Sequence, residues 1–570
     1  MPATIPGLMD ELQIDLDRWG VPFIRAAHHD DAWAAVGYLH AHDRWASMEL
    51  MLRCAEGTME EALGSSMRRH DTAMQTCELR ARAHDEWSTL SERAQRDLLS
   101  YSRGVQAWLA ATPPARRSIE TRLGRRPRDT WTPIDSLLVL RLVALGWSSL
   151  PGEHLDVCDN IPWDWPGATD DAVLCGDAGS RNAGMSETRT HTLTIGETPR
   201  IVGAARELKA AIRGARRMLG TDHPDRGSNA WAVQKRHTST GGPILAGDCH
   251  MELAVPALWH EIGVRCPELS VRGFSIPGVP WVLAGHTGSA AWTMTGCATP
   301  QVTGNSDACT AVTDTSTCAE SLSRLQRSHT ATDVSASLDA WHAPLMHMVW
   351  ADSNDAIGLR LCGMVPNLAL PAAESPPCGW IASANDCAAG RTHPARELLE
   401  RGAAPGWRAQ RIRELLARTT HADVRQHAAI QCDVESVSAR ELRSVIVDRT
   451  THGHATPRSD PGRRLLAKLR AWDGRMDPNS PGAAASAALT DIIFMLVAGH
   501  HHRHGPVPAG DLAGRVIGAE ASAHATPTAS QALMIFHHAI SRADETRTSR
   551  MCERAGVAHD IDELIAWLLD

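Results

Sequence analysis

The stretch RGSNAWAVQKR (226–236) lies near the midpoint of a 570-residue chain and sets a hydroxyl, Ser228, between a glycine and an apolar run of strand-like pattern. A serine hydroxyl is a poor nucleophile until a base takes its proton, usually a histidine oriented by a third group. A second arrangement needs no such histidine. Cutting the peptide bond before the serine exposes an α-amine with an ordinary pKa of about 7.7–8.0, which can act directly or through one water as the base for its own side chain. Gly227 suits such a cut, because without a Cβ its backbone can adopt the strained geometry that an N-to-O acyl shift demands. Taken alone, the two residues read first as a Gly–Ser turn entering a strand.

Other clusters offer less chemistry. GHHHRHG (499–505) holds histidines without the spacing of a defined metal site and reads as a solvated loop. Glu60–Glu61 and Asp30–Asp31 read as helix-end charges. The 14 cysteines include no C-x-x-C pair, so buried free thiols are expected rather than a disulfide framework or a zinc site. The 57 basic and 66 acidic residues give a net charge of −9, and no basic stripe with interleaved aromatics occurs. That argues against nucleic acid and leaves small molecules or proteins as partners. The start MPATIPGLMDELQIDLDRWG has no basic end, apolar core or small-residue cleavage site, and no apolar run of roughly eighteen residues follows. A cytoplasmic protein with no membrane partner is expected.

These residues must be positioned by a large body. Helical spacing runs over 31–64, with Gly64 as a stop, over 70–111 and over 131–150. Residues 156–227 read as a linker or spacer, with a basic amphipathic helix at 203–219. After Ser228 the period changes to two: short apolar runs at 229–236, 242–247, 257–265, 269–276, 280–285, 290–295, 346–351, 356–362 and 379–384 predict a sheet. From 406 onward the pattern is mostly helical. Helices, then sheet, then helices predict an α+β fold with the sheet between helical layers.

GSNAWAVQKRHTSTGGPILAGDCH (227–250) and FSIPGVPWVLAGHTGSAAWTMT (274–295) resemble the penicillin acylase family of N-terminal nucleophile amidohydrolases. So do residues 17–64, WTPIDSLLVLRLVALGWSS (131–149), VWADSNDAIGLRLCGMVP (349–366), GWIASAND (379–386) and APGWRAQRIRELL (404–416). The resemblance implies an αββα four-layer sandwich with a helical α-chain wrapped around it. It divides the chain into an α-chain region 1–155, a spacer 156–227 ending at autocleavage between Gly227 and Ser228, and a β-chain 228–570.

The resemblance also assigns roles. Ser228 matches the nucleophile, and Asn385 of SAND matches the side-chain donor of the oxyanion hole. The second donor is a backbone N–H at Gly296, or at Cys297 if the register slips by one. Arg408 matches an arginine that orients the nucleophile's amine and the Asn. His250 falls where some relatives have Gln, and where cephalosporin and acyl-homoserine lactone acylases have a His bonded near the nucleophile. Met251, Leu283, Ala284 and Met294 fall where relatives line the acyl pocket; as apolar strand residues they read equally well as core.

The match breaks at the calcium site of relatives, where this chain has Pro300, Val302 and Thr303 and keeps only Glu397. The charged oxygen cage that Ca²⁺ needs is missing, so no cofactor and no metal are expected. The stretch 305–345 is shorter than in most relatives, and their C-terminal strands, with the carboxylate that often supports the His, have no match here. The function implied is a self-processing hydrolase of linear amides (EC 3.5.1 type), with α and β chains associated as a heterodimer, acting on an N-acylated small molecule in natural-product or antibiotic metabolism. An acyltransferase working through the same acyl-enzyme, or a non-catalytic scaffold, are the alternatives.

Overall fold

The computed structural model describes, isolated positions aside, residues 7–114, 128–148, 210–221, 227–297, 316–396, 406–498 and 561–570. GHHHRHG, Pro300, Val302, Thr303, Glu397 and most of the 156–227 spacer lie outside the described residues. The chain forms two compact units, one spanning 1–151, 170–402 and 420–424, the other 152–169, 403–419 and 425–570.

In the first unit, helices His29–Glu56 and Glu92–Ala111 cross at two glycines. A Cβ on Gly37 would stand 2.1 Å from Tyr101 O, and one on Gly104 only 1.7 Å from Ala34 O, so the backbones touch where side chains normally intervene. The first helix ends earlier than expected. Gly57, at φ 66°, takes the left-handed cap and its N–H reaches Cys54 O, while Thr58 N reaches Arg53 O. Gly64 instead closes a separate short helix, Met59–Leu63, whose first N–H groups are capped by the Asp71 carboxylate at 2.9 and 2.7 Å. Helix Pro133–Trp147 starts with Pro at its first turn and a Thr132–Asp135 capping box, and it is apolar on nearly every side, as a buried helix must be. The helix-end carboxylates are paired: Asp30 with Arg96, Glu60 with Arg68, and Asp31 with the Met9 and Asp10 amides.

Twelve strands occur among the described residues, nine of them close to the predicted runs: β1 Gln13–Leu16, β2 Pro22–Arg25, β3 Gly227–Val233, β4 Ile244–His250, β5 His260–Cys266, β6 Leu269–Ser275, β7 Val282–His286, β8 Ala290–Gly296, β9 Met346–Asp352, β10 Ile357–Cys362, β11 Ala372–Glu374 and β12 Trp380–Ser383. The sequence pattern missed β1, β2 and β11, which have three or four residues each and show no alternation. One sheet is not enough for them. Nine strands form a sheet in the order β1-β2-β5-β6-β7-β8-β9-β10-β11, and three form a second, β12-β3-β4.

The sheets stack through small side chains. Ala230, Ala232 and Ile381 of the small sheet share a core with Val349, Ala351, Ile357 and Leu359 of the large one. A Cβ on Gly247 of β4 would meet Thr293 Oγ1 of β8 at 2.1 Å, which marks the same close approach. The opposite face of the large sheet, with Trp292, Met294, Met348 and Trp350, packs in one core with the helices. Helix 210–218, inside the expected spacer, buries Ala211, Ile212, Ala215 and Leu219 in that core, so this part of the spacer is structural. Among the described residues the first unit is thus helices, large sheet, small sheet, an α+β arrangement.

The second unit is helical among its described residues, with Trp407–Arg418, Val424–Gln431, Val437–His452, Asp460–Ala471, Pro481–Ala498 and Ile561–Leu569 around a core that includes Trp407, Ile446, Leu489 and Leu564. No described helix is long and apolar enough to cross a membrane. Most described cysteines are buried and unbridged, but Cys249 and Cys432 are exposed, against the expectation.

In an open helix Gly→Ala is stabilising by up to about 1 kcal/mol. At Gly104 the sign should reverse: Gly104→Ala overpacks a backbone contact and should destabilise by about 1–3 kcal/mol in denaturant melts. A neutral or stabilising result would show that the crossing is looser than described.

Candidate active site

Strand β3 runs through the centre of the small sheet, and its register fixes which side chains share a face. Ser228 lies opposite Cys249, Ala230 opposite Gly247 and opposite Ser383 on the other flank. Directly opposed residues point the same way, so Ser228, Ala230, Ala232, Cys249 and Ser383 face the large sheet. Ser228 therefore sits at the end of the inter-sheet layer and is 9% exposed. Asn229, Asp248 and His250 project from the other face.

Asn385 closes the layer from the loop after β12. Its Oδ1 accepts the Ser228 N–H at 2.7 Å, and its Nδ2 donates to Gly296 O at 2.7 Å. One amide thus joins the small sheet, its own loop and the end of β8. The amide has two hydrogens on Nδ2, and the Gly296 bond uses one of them. Asn385 adopts φ 66°, a left-handed conformation that Asn tolerates better than most residues, and the neighbouring Asp386 carboxylate fixes the turn by accepting Ala384 N–H at 2.9 Å.

The β8–β9 ladder decides between Gly296 and Cys297. Cys297 N donates to Leu345 O at 3.2 Å, so 297 and 345 form a hydrogen-bonded pair. Gly296 and Met346, one rung earlier, form the alternate kind, in which N–H and C=O both turn away from the partner strand. Gly296 N–H points to the side where its own carbonyl meets Asn385. Cys297 N–H is engaged in the ladder, and Gly296 N–H is turned away from it.

His250 is the ladder partner of Gly227, next to Ser228. Its Nε2 stands 2.6 Å from Asp248 Oδ2, the same oxygen to which Asn229 Nδ2 donates at 3.0 Å. At that distance from a carboxylate, Nε2 carries a hydrogen and donates it to Asp248. Asp248 escaped the sequence reading, although a residue two places away on one strand always shares a face.

The pocket candidates divide. Leu283 and Met294 are 1% exposed in the helix-facing core, on the side of the large sheet turned from Ser228. Ala284, between them in alternation, is half-buried on the opposite face, and Met251 is half-buried just after β4. Arg408 is the second residue of helix Trp407–Arg418 in the second unit. Among the described residues no group of three His, Cys, Asp or Glu side chains is arranged to hold a metal.

A further polar group was not singled out from the sequence. His347 of β9 lies directly opposite Thr295 of β8, on the face toward Ser383. The Thr295 and Ser383 hydroxyls are 2.8 Å apart, and His347 Nδ1 stands 3.4 and 3.3 Å from them. His347 is 1% exposed, and burial holds its pKa down at about 4 although the Asp386 charge pulls it upward.

Residues 11–303 and 362–554 match the sequence model of penicillin amidase. The chain belongs to the penicillin amidase family. It is 26% identical to a penicillin acylase 2 proenzyme from Pseudomonas sp. (strain SE83), a match covering 87% of this chain and 73% of that protein. It is 31% identical to the acyl-homoserine lactone acylase QuiP of Pseudomonas aeruginosa, over 51% of this chain and 34% of the relative. The chain thus spans only about a third of the length of QuiP. A solved thermostable penicillin G acylase from Alcaligenes faecalis superposes on 59% of this chain and 80% of its own, with 13% identity and a TM-score of 0.38.

Because His347 stays neutral in the folded protein down to about pH 4 but ionises near 6.5 when unfolded, acid favours the unfolded state. The stability it contributes is present above pH 6.5 and is lost as pH falls toward 4, by up to about 3 kcal/mol. Urea melts of the wild type and His347→Asn at pH 7 and pH 4.5 should show a smaller acid loss in the variant. Parallel losses would mean that the ring is hydrated or already charged.

Proposed function

We propose that this chain is a self-processing amidohydrolase in which Ser228 is the nucleophile and the substrate is an N-acylated small molecule. The observation that carries the reading is the Asn385 amide, which meets the Ser228 N–H on one side and Gly296 on the other across 157 and 89 residues of sequence. The Pseudomonas relative's description as a proenzyme supports maturation by cleavage, and the names penicillin acylase and acyl-homoserine lactone acylase support the substrate class.

In maturation, Ser228 Oγ attacks the Gly227 carbonyl carbon. The C–N bond breaks, an ester forms, and water hydrolyses it to free the Gly227 carboxylate and the Ser228 α-amine. In catalysis that amine, directly or through one water, accepts the Ser228 hydroxyl proton as Oγ attacks the substrate amide. Gly296 N–H and the Asn385 Nδ2 amide receive the oxyanion, each worth on the order of 10²–10³ in rate. The proton passes to the departing amine, and water resolves the acyl-enzyme. His250 lies beside the cut as the ladder partner of Gly227 and donates from Nε2 to Asp248. Met251 and Ala284 border the acyl group, the α and β chains stay associated, and no calcium is required.

Intact-mass measurement tests the reading without a substrate. The wild type should contain two associated chains, 1–227 or a trimmed form and 228–570, whereas Ser228→Ala should remain one inactive chain. A folded wild type with the mass of all 570 residues would make Ser228 an ordinary strand residue and the protein a scaffold. Asn385→Ala should slow acyl release at least about ten-fold while the fold persists; normal turnover would remove Asn385 from the site. Adding EDTA should leave the Tm unchanged, and a drop that calcium reverses would restore a structural metal.

A further inference from the structure

The two oxyanion donors belong to different sheets. Gly296 ends β8 of the large sheet, and Asn385 follows β12 of the small one. Their separation is therefore a property of the stacking, and the residues beside them carry the only polar bridge described between these strands besides the Asn385 amide itself. Thr295 immediately precedes Gly296, and Ser383 stands two residues before Asn385. Their hydroxyls are 2.8 Å apart, and His347 Nδ1 lies within 3.4 Å of both. All three residues are 2% exposed or less.

We infer that His347 is a positioning residue for the oxyanion hole, locking Thr295 to Ser383 and so fixing the distance between Gly296 N–H and the Asn385 amide. The inference rests on the reading of Ser228, Gly296 and Asn385 given above. Three facts carry it. First, the ring bridges the strands of both donors and touches neither donor. Second, His347 Nε2 is buried with no hydrogen-bond partner, a costly arrangement that an aliphatic residue in the same place would avoid. Packing alone does not call for a histidine there. Third, the surrounding layer is small and apolar, with Ala230, Val349 and Leu359, so little else resists sliding of one sheet over the other at this end. The Asp386 carboxylate is the charged group whose field reaches the ring, and the turn it fixes carries Asn385.

The ring's two nitrogens can be told apart by substitution. Asn places its amide near the position of Nδ1 and keeps a partner for the hydroxyls, whereas Leu fills the space and keeps none. His347→Leu, Thr295→Val and His347→Asn should be purified as processed enzyme, and initial rates measured on a panel of acyl p-nitroanilides. His347→Leu and Thr295→Val should each lower kcat by ten-fold or more with KM within about two-fold, since the ground-state acyl pocket is untouched. The double variant should be no worse than the weaker single, because both remove one bridge. His347→Asn should recover kcat to within about three-fold of the wild type.

An active wild type with an equally active His347→Leu would overturn this inference and leave the acylase reading standing. So would His347→Asn as impaired as His347→Leu, or a loss confined to KM. If His347→Leu does not fold, Thr295→Val, which removes only a hydroxyl, decides by the same kcat and KM criteria. An uncut wild type, inert on every anilide, would overturn both readings, since no oxyanion would form between Gly296 and Asn385.

Discussion

Everything at this site depends on one side-chain amide accepting from one sheet and donating to the other. Asn385 can do so only because its Oδ1 and Nδ2 differ: the first takes the Ser228 N–H, the second gives to Gly296 O. A carboxylate in its place would face the Gly296 carbonyl with like polarity, and an aliphatic residue would leave both backbone groups to find other partners. The backbone meets this demand by holding a non-glycine residue at φ 66°, with the Asp386 carboxylate closing the turn. Strain of this kind persists where surrounding contacts over-determine it.

The rest of the first unit brings the two sheets close enough for that amide to span them. Alanines at 230 and 232 and the glycine at 247 thin the layer between sheets, while the outer face of the large sheet is filled with tryptophan and methionine against the helices. Bulk lies on the helix-facing side and is withheld between the sheets, where Asn385 joins Ser228 to Gly296. The helices in turn meet at Gly37 and Gly104, so the unit uses the absence of side chains twice, once to join helices and once to join sheets. Polar groups in the thin layer gather at the Ser228 end, where Thr295, Ser383 and His347 replace the aliphatic contacts found further along.

Much of this was legible in the sequence because strand alternation and glycine punctuation are local signals. The run after Ser228 predicted its strands to within a few residues, and the apolar run at 379–384 located β12, which leads into Asn385. What was not legible depended on which face meets which neighbour. Leu283 and Met294 are apolar strand residues in either reading, and only the pairing of β7 and β8 shows that they point to the helices. His347 looked like one more residue in an apolar run, because nothing local reveals that its strand partner is Thr295 or that Ser383 lies across the gap. Asp248 could have been found, since D-C-H on a strand puts the carboxylate and imidazole side by side.

The pairing of Ser228 with Cys249 has a consequence for chemical studies of the protein. Directly opposed residues in an antiparallel pair have Cα atoms about 4.5–5.5 Å apart, inside the span a disulfide can bridge. A thiol introduced at position 228 would face the native one from its neighbouring strand. Under air the two can oxidise to each other, silencing a Ser228→Cys protein for a reason unrelated to its nucleophilicity. Such a variant is interpretable only under reducing conditions or on a background with Cys249 replaced by serine. The same proximity makes Cys249 a natural attachment point for a fluorophore reporting on the neighbourhood of Ser228.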